Sequence, residues 1–167
     1  MRVATLSLCT VSLLLAVAPA HANDWQTFIV KDGDGSDLAV MQGTAQYNFA
    51  LFLLCRKDGQ KHVLLQMGNP ETPIATLKAA SDITFRIQTD AGEHASTGLW
   101  TGGYGTGKDL LEYSNFYETN DIANFIGEAK NIVTFVYDVP SLKVHEGAVA
   151  FAEGAAEAAK KFNDFCQ

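Results

Sequence analysis

Basic residues and long hydrophobic runs are both scarce in this sequence of 167 residues. Its 12 lysines and arginines are scattered and face 19 acidic residues, so the net charge is −7 with histidine neutral. Because binding to phosphate backbones depends on lysine and arginine, this balance argues against nucleic acid and anionic membranes as partners. No apolar run reaches the roughly 20 residues that a membrane-spanning helix needs, so we predict no membrane span.

Catalytic signatures are lacking as well. The sequence has no G-x-S-x-G nucleophile motif, and His62, His94 and His145 are isolated, without the spacing of zinc ligands. We therefore predict that the protein is not an enzyme and has no catalytic residues, no cofactor and no metal site. The alternative is a metal ion held by all three histidines from different strands.

A glycine-rich stretch, Gly102–Lys108, matches the pattern G-x-x-x-x-G-K of a phosphate-binding loop. In such a loop the next residue is Ser or Thr, which holds magnesium, but here it is Asp109, an anion that would lie beside the phosphates. We interpret the stretch as a hairpin connection in which the glycines supply turn geometry.

The stretch Asp32–Asp37 resembles the start of a calcium-binding loop. The sixth position should be glycine but is Asp37, and the twelfth should be glutamate but is Gly43. We interpret the stretch as a solvated turn, because Asp and Gly favour turns. A looser calcium site formed by Asp32, Asp34 and Asp37 is the alternative.

The first 22 residues have the pattern of a secretory signal peptide. Arg2 provides a basic start, Leu6–Val17 an apolar run too short to span a membrane, and Ala20-His21-Ala22 a cleavage site. We predict cleavage near Ala22 and a periplasmic or secreted bacterial protein. Residues 23–167 are then long enough for a single domain with its own core.

Only two cysteines follow the predicted signal peptide, Cys55 and Cys166. In an exported protein two cysteines favour a disulfide, which would tie the C-terminal end to the middle of the domain. Two free thiols or a metal-binding pair are the alternatives.

Short β-rich segments separated by Gly and Asp dominate the rest of the sequence. The predicted strands are Trp25–Val30, Leu38–Gln42, Tyr47–Cys55, His62–Met67, Ile83–Thr89, Glu93–Trp100, Leu110–Phe116, Ile132–Asp138 and Val144–Phe151. A short helix, Ile122–Ala129, is predicted with Thr119 or Asn120 as its cap. The alanine-rich stretch Gly154–Phe165 predicts a helix with an apolar stripe. The fold class is mainly β: an antiparallel β-sandwich or open barrel with one short helix and a C-terminal helix packed on the sheet.

Aromatic residues next to polar or glycine-rich sequence indicate a recognition surface. Trp100, Tyr104 and Tyr117 have this context, and Lys108 ends the glycine-rich loop. These four are the predicted binding residues.

The order of features resembles that of known exported proteins. Trp25 comes early, an apolar strand ends in Cys55, a helix covers Ile122–Ala129, and F-x-x-G-x-x-x-A at Phe151–Ala158 precedes a terminal Cys166. This layout resembles small proteobacterial β-sandwich proteins typified by type VI secretion accessory proteins of the VasI/TagO kind, and the invasion-associated locus B proteins. The resemblance implies a periplasmic, non-catalytic accessory role.

Taken together, these features predict a non-enzymatic accessory or binding protein that uses a surface patch to contact another envelope or secreted protein. The alternative is an exported inhibitor of a hydrolase, a protease or lysozyme. A rigid disulfide-bonded β scaffold would suit that role, with the loop Gly102–Lys108 as its insertion element.

Overall fold

The computed structural model describes residues 24–46, 49–57, 61–66, 72–97, 110–113 and 119–167. The strands are β1 (Trp25–Lys31), β2 (Asp37–Thr44), β3 (Ala50–Arg56), β4 (Lys61–Gln66), β5 (Thr84–Thr89), β6 (Gly92–Thr97), β7 (Leu110–Tyr113), β8 (Ile132–Val139) and β9 (Val144–Phe151). The helices are α1 (Ile74–Ala79), α2 (Thr119–Gly127) and α3 (Ala155–Phe165). None of these helices is long and apolar enough to cross a membrane.

The first sheet has five antiparallel strands in the order β1-β2-β3-β4-β7. Its central strand is β3, which contains the strongest apolar run after the predicted signal peptide. Strand β3 is hydrogen-bonded on both sides, and five of its seven residues are buried, whereas Phe52 and Arg56 are only partly buried.

The second sheet has four antiparallel strands in the order β6-β5-β8-β9. In β5, whose apolar and polar residues alternate in the sequence, burial alternates as well: Phe85 and Ile87 are buried, whereas Thr84, Arg86 and Gln88 are only partly so. The mainly β prediction is therefore confirmed, with two separate sheets instead of an open barrel.

Trp25 joins the two sheets into one core. Its indole ring meets Phe135 of β8 edge to face, with 5.8 Å between the ring centroids, and its Nε1 donates to the carbonyl of Phe151 at 2.9 Å. On the other side the ring lies against Gly43, where an added Cβ would come within 2.4 Å of it. Only glycine at this position leaves room for the indole.

Helices α2 and α3 pack on the inner face of the first sheet. The second sheet packs on the same face beside them. They approach each other closely at Gly127, where a Cβ would lie 2.7 Å from that of Ala159. The predicted apolar stripe of α3 is confirmed, since Ala155, Ala158, Ala159 and Phe162 are all buried. Thr27 of β1 fixes the helix to the sheet by donating its hydroxyl to the carbonyl of Ala158 at 2.7 Å.

The predicted disulfide is confirmed: Cys55 in β3 is bonded to Cys166, just after α3, with 6.0 Å between their Cα atoms. The bond closes a sequence separation of 111. It therefore holds the end of the last helix against the central strand of the first sheet.

Two local predictions need correction. Thr119 and Asn120 do not cap α2 but lie within it: Thr119 is fully buried, and Asn120 accepts from Lys61 Nζ at 2.5 Å. Helix α1, from Ile74 to Ala79, was not predicted. It is only six residues long, and Leu77 is the one buried residue among its described side chains. The sequence therefore shows no apolar residues recurring at helical spacing.

Candidate binding surface

The four predicted binding residues, Trp100, Tyr104, Lys108 and Tyr117, lie outside the described residues, as do the predicted signal peptide and the glycine-rich stretch Gly102–Lys108. The described residues nevertheless contain a second surface with the composition of a binding patch. It lies on the outer face of the first sheet, on the side opposite the core.

The strand register places apolar side chains side by side on this outer face. Phe28 of β1 lies beside Val40 of β2, which lies beside Leu54 of β3. Val30 lies beside Leu38 in the next row. The apolar face comprises Phe28, Val30, Leu38, Val40, Phe52 and Leu54.

Exposure increases across the apolar face towards the sheet edge. Leu38 and Leu54 are 6% and 5% exposed and form a small cluster of their own, with Val40 and Phe52 partly buried against it. At the edge strand, Phe28 and Val30 are 43% and 44% exposed. Large apolar side chains that remain in water side by side are typical of interaction sites.

The outer face of the second sheet has a different character. There Asp138 receives hydrogen bonds from Arg86 and His145, and Gln88 donates to Glu93 at 2.7 Å. Partial burial opposes ionisation of Asp138, but the bonds from His145 and Arg86 outweigh it and hold its pKa below the usual range. The outer face of the second sheet therefore combines an ionic cluster around Asp138 with an exposed apolar pair, Ile132 and Phe151, at one end of β8 and β9.

In the acidic turn between β1 and β2, the aspartate side chains are paired with arginine or lysine side chains. The guanidinium of Arg56 binds Asp32 at 2.6 Å and also contacts Asp34, while Lys31 binds Asp37 at 2.5 Å. Hydrogen bonds from Ser36, and then the contact with Arg56, lower the pKa of Asp34. The three carboxylates of the alternative calcium site thus have arginine or lysine as partners, which supports the interpretation as a turn.

His62, His94 and His145 lie on strands that are not neighbours. His62 is on β4 of the first sheet, whereas His94 and His145 are on β6 and β9, the two edges of the second sheet. The side chain of His145 is exposed and bonded to Asp138. This arrangement does not support a metal ion shared by all three, and no group of three His, Cys, Asp or Glu within the described ranges could hold one.

Sequence reasoning missed the apolar face, although a signal for it was present. Phe28-Ile29-Val30 and Ala50–Cys55 are continuous apolar runs, not alternating ones. In an antiparallel strand, such a run puts apolar side chains on both faces of the sheet. Such runs predict strands, but they also predict a second apolar face that needs something to cover it.

Comparison of this chain with protein-family models, with curated proteins and with solved structures finds no match.

Proposed function

We propose that this protein is a non-enzymatic accessory or binding protein of the bacterial envelope or secretome, and that it contacts a partner protein through the apolar face. The observation that carries the proposal is the extent of the apolar face, whose side chains lie side by side on three neighbouring strands. It leaves Phe28 and Val30 partly in water, whereas the outer face of the second sheet has paired ionic and polar groups across its middle and an exposed apolar pair, Ile132 and Phe151, at one end.

The energetic reason for this assignment is the hydrophobic effect. Covering apolar surface contributes about 25 cal/mol for each Å² removed from water, so a partner that covers Phe28, Val30 and Phe52 gains directly from that contact. Aromatic side chains such as Phe28 and Phe52 are typical anchors of protein–protein interfaces. The flanking Gln42 and Arg56 supply polar groups at the border of the patch.

The absence of catalysis is part of the proposal. In the part of the chain that the structure describes, ionisable side chains that come together form ion pairs on an outer sheet face, in a turn or along helix α3, such as Arg86 with Asp138, Arg56 with Asp32 and Lys160 with Asp164. Paired groups of this kind stabilise the scaffold and do not supply a free acid or base.

Site-specific photo-crosslinking in cells tests the proposal. Phe52, in the centre of the apolar face, is replaced by benzoylphenylalanine, and Thr134, on the outer face of the second sheet, is replaced in the same way as the matched control. We expect a discrete protein adduct from position 52 and none from position 134.

The identity of the adduct distinguishes the two functions. An envelope or secretion component supports the accessory role, whereas a protease or lysozyme supports the inhibitor role. Equal adducts from both positions, or none from position 52, would contradict the proposal that the apolar face contacts a partner protein.

A further inference from the structure

The two cysteines of the disulfide differ in how deeply they are buried. Cys55 lies in β3, the central strand of the first sheet, and is 0% exposed. Cys166 directly follows α3, is partly exposed, and has only Gln167 after it. Strands of a core open only with most of the fold, whereas the ends of a chain fray at little cost in free energy. A reagent from the solvent therefore reaches Cys166 far more easily than Cys55.

Polar side chains link the neighbour of Cys55 to the helical turn that precedes Cys166. Lys61 of β4 lies directly opposite Cys55, on the same face of the sheet. Its Nζ donates to Oδ1 of Asn120 in α2 at 2.5 Å, and Nδ2 of Asn120 donates to Oδ1 of Asn163 in α3 at 2.9 Å. The N–H of Cys166 donates to the carbonyl of Asn163 at 3.1 Å. We call Lys61, Asn120 and Asn163 the polar bridge; it holds the end of α3 by contacts that involve neither sulfur.

We propose that the disulfide forms and breaks on the folded protein by thiol–disulfide exchange at Cys166, and that the polar bridge keeps Cys166 beside Cys55 while the bond is open. The co-reactant is an external disulfide, RSSR, during oxidation and the corresponding thiol, RSH, during reduction. Cys166 is the site to which the external sulfur becomes attached, and the residues of the polar bridge are positioning residues.

Oxidation balances in two steps. The Cys166 thiolate attacks RSSR, which forms a mixed disulfide and releases RS⁻. The Cys55 thiolate then attacks the Cys166 sulfur of the mixed disulfide, and a second RS⁻ leaves. The protein loses two protons and two electrons, and RSSR becomes two RSH. Lys61 assists the second step, because an ammonium group next to a cysteine favours the thiolate, which is the attacking form.

Other contacts allow α3 to stay in place while the bond is open. Phe162 is fully buried in the core, and the hydroxyl of Thr27 donates to the carbonyl of Ala158 at 2.7 Å. The bridge adds a third attachment, at the end of the helix that carries Cys166. None of these residues belongs to the apolar face, so the exchange is independent of the proposed function.

Single-cysteine variants of the exported protein test which sulfur exchanges. Cys55→Ala leaves Cys166, and Cys166→Ala leaves Cys55; both variants lack the disulfide, so each is the matched control of the other. Each folded variant is incubated with glutathione disulfide, and the mixed disulfide is measured over time by intact mass. We expect Cys166 to react at least about 100-fold faster than Cys55, and both to react at similar rates in urea. Equal rates in the folded variants, or no adduct on Cys166, would overturn the proposed exchange site.

The equilibrium of the disulfide with a glutathione buffer tests the polar bridge. Asn163→Ala removes the link of the bridge in α3. Lys160→Ala, which removes an exposed ion pair with Asp164 in the same helix, is the matched control. We expect the equilibrium constant for closing the disulfide to fall by about 2- to 10-fold in Asn163→Ala, the net effect of one hydrogen bond, and to stay unchanged in Lys160→Ala.

The same measurement in urea separates positioning from the chemistry of the two thiols. Because the bridge is absent from the unfolded chain, the wild type and both variants should then close the disulfide equally. In the folded proteins, a closing constant in Asn163→Ala equal to that of the wild type would overturn the role of the bridge. An equal decrease in Asn163→Ala and Lys160→Ala would overturn it as well.

Discussion

Reduction of the Cys55–Cys166 disulfide should destabilise the fold strongly without abolishing it. The bond spans 111 positions, and the loss of loop entropy in the unfolded chain corresponds to about 4.8 kcal/mol at 25 °C. Measured losses in small exported domains are typically about 2–5 kcal/mol. Because folded domains are stable by roughly 5–15 kcal/mol, the reduced protein should still fold, but with much of its margin gone.

The structure indicates why α3 should remain in place after reduction. Phe162 is fully buried in the core, and Thr27 holds the carbonyl of Ala158 independently of the sulfur atoms. The expected result is therefore a shift in global stability with nearly unchanged helix content at 25 °C.

Urea unfolding, followed by circular dichroism with and without reductant, measures the effect. We expect a decrease of about 3–5 kcal/mol in the unfolding free energy of the wild type. The double variant Cys55→Ala/Cys166→Ala is the control, and reductant should not change its curve. A change below about 1 kcal/mol in the wild type would refute the reasoning. So would the addition of two alkyl groups to the unreduced, denatured wild type in a mass measurement.

Three further predictions concern packing and pH. Gly43→Val should lower the unfolding free energy, measured by heat or urea, by about 3 kcal/mol or more, because its Cβ would overlap the buried indole of Trp25. Gly33→Ala is the control and should be well tolerated, because no atom lies within 4 Å of the added Cβ. Gly127→Val should lower the unfolding free energy by about 1–3 kcal/mol, since it forces α2 away from α3; an unchanged stability would contradict the close helix contact. Hydrogen bonds lower the folded pKa of Asp82 and Asp90 below the unfolded value of about 3.9, so the stability they contribute is present above that pH and lost as pH falls further. Unfolding free energy measured from pH 6 to pH 3 should therefore fall less in Asp90→Asn than in the wild type, and parallel curves would contradict this.

Local periodicity predicted most elements because burial follows it directly. In β5 and β8, alternating apolar residues face the shared core, so the pattern is visible in the sequence. Strand β9, Val144–Phe151, was predicted to the residue, since a proline-containing turn precedes it and a glycine follows it.

The arrangement of the strands could not be predicted in the same way. Strand β7 pairs with β4 more than 40 positions earlier, and β8 pairs with β5 across the intervening β6, β7 and α2. Such pairings depend on the packing of the whole core and leave no local pattern. The disulfide was predictable, because only two cysteines follow the predicted signal peptide.

The candidate surface was missed for a related reason. Composition drew attention to aromatic residues next to glycines, at Trp100 and Tyr104, whereas the apolar face combines side chains from three strands. Only the register shows that Phe28, Val40 and Leu54 form one row.

Hydroxyl-radical footprinting tests the apolar face most directly, because it measures the solvent contact of individual side chains. Oxidation of Phe52 is compared with that of Phe151 in intact cells and in the purified protein. We expect Phe52 to be oxidised less in cells, where the partner covers it, and Phe151 to be oxidised equally in both. Equal oxidation of Phe52 in cells and in isolation would contradict the assignment of this face as the binding surface.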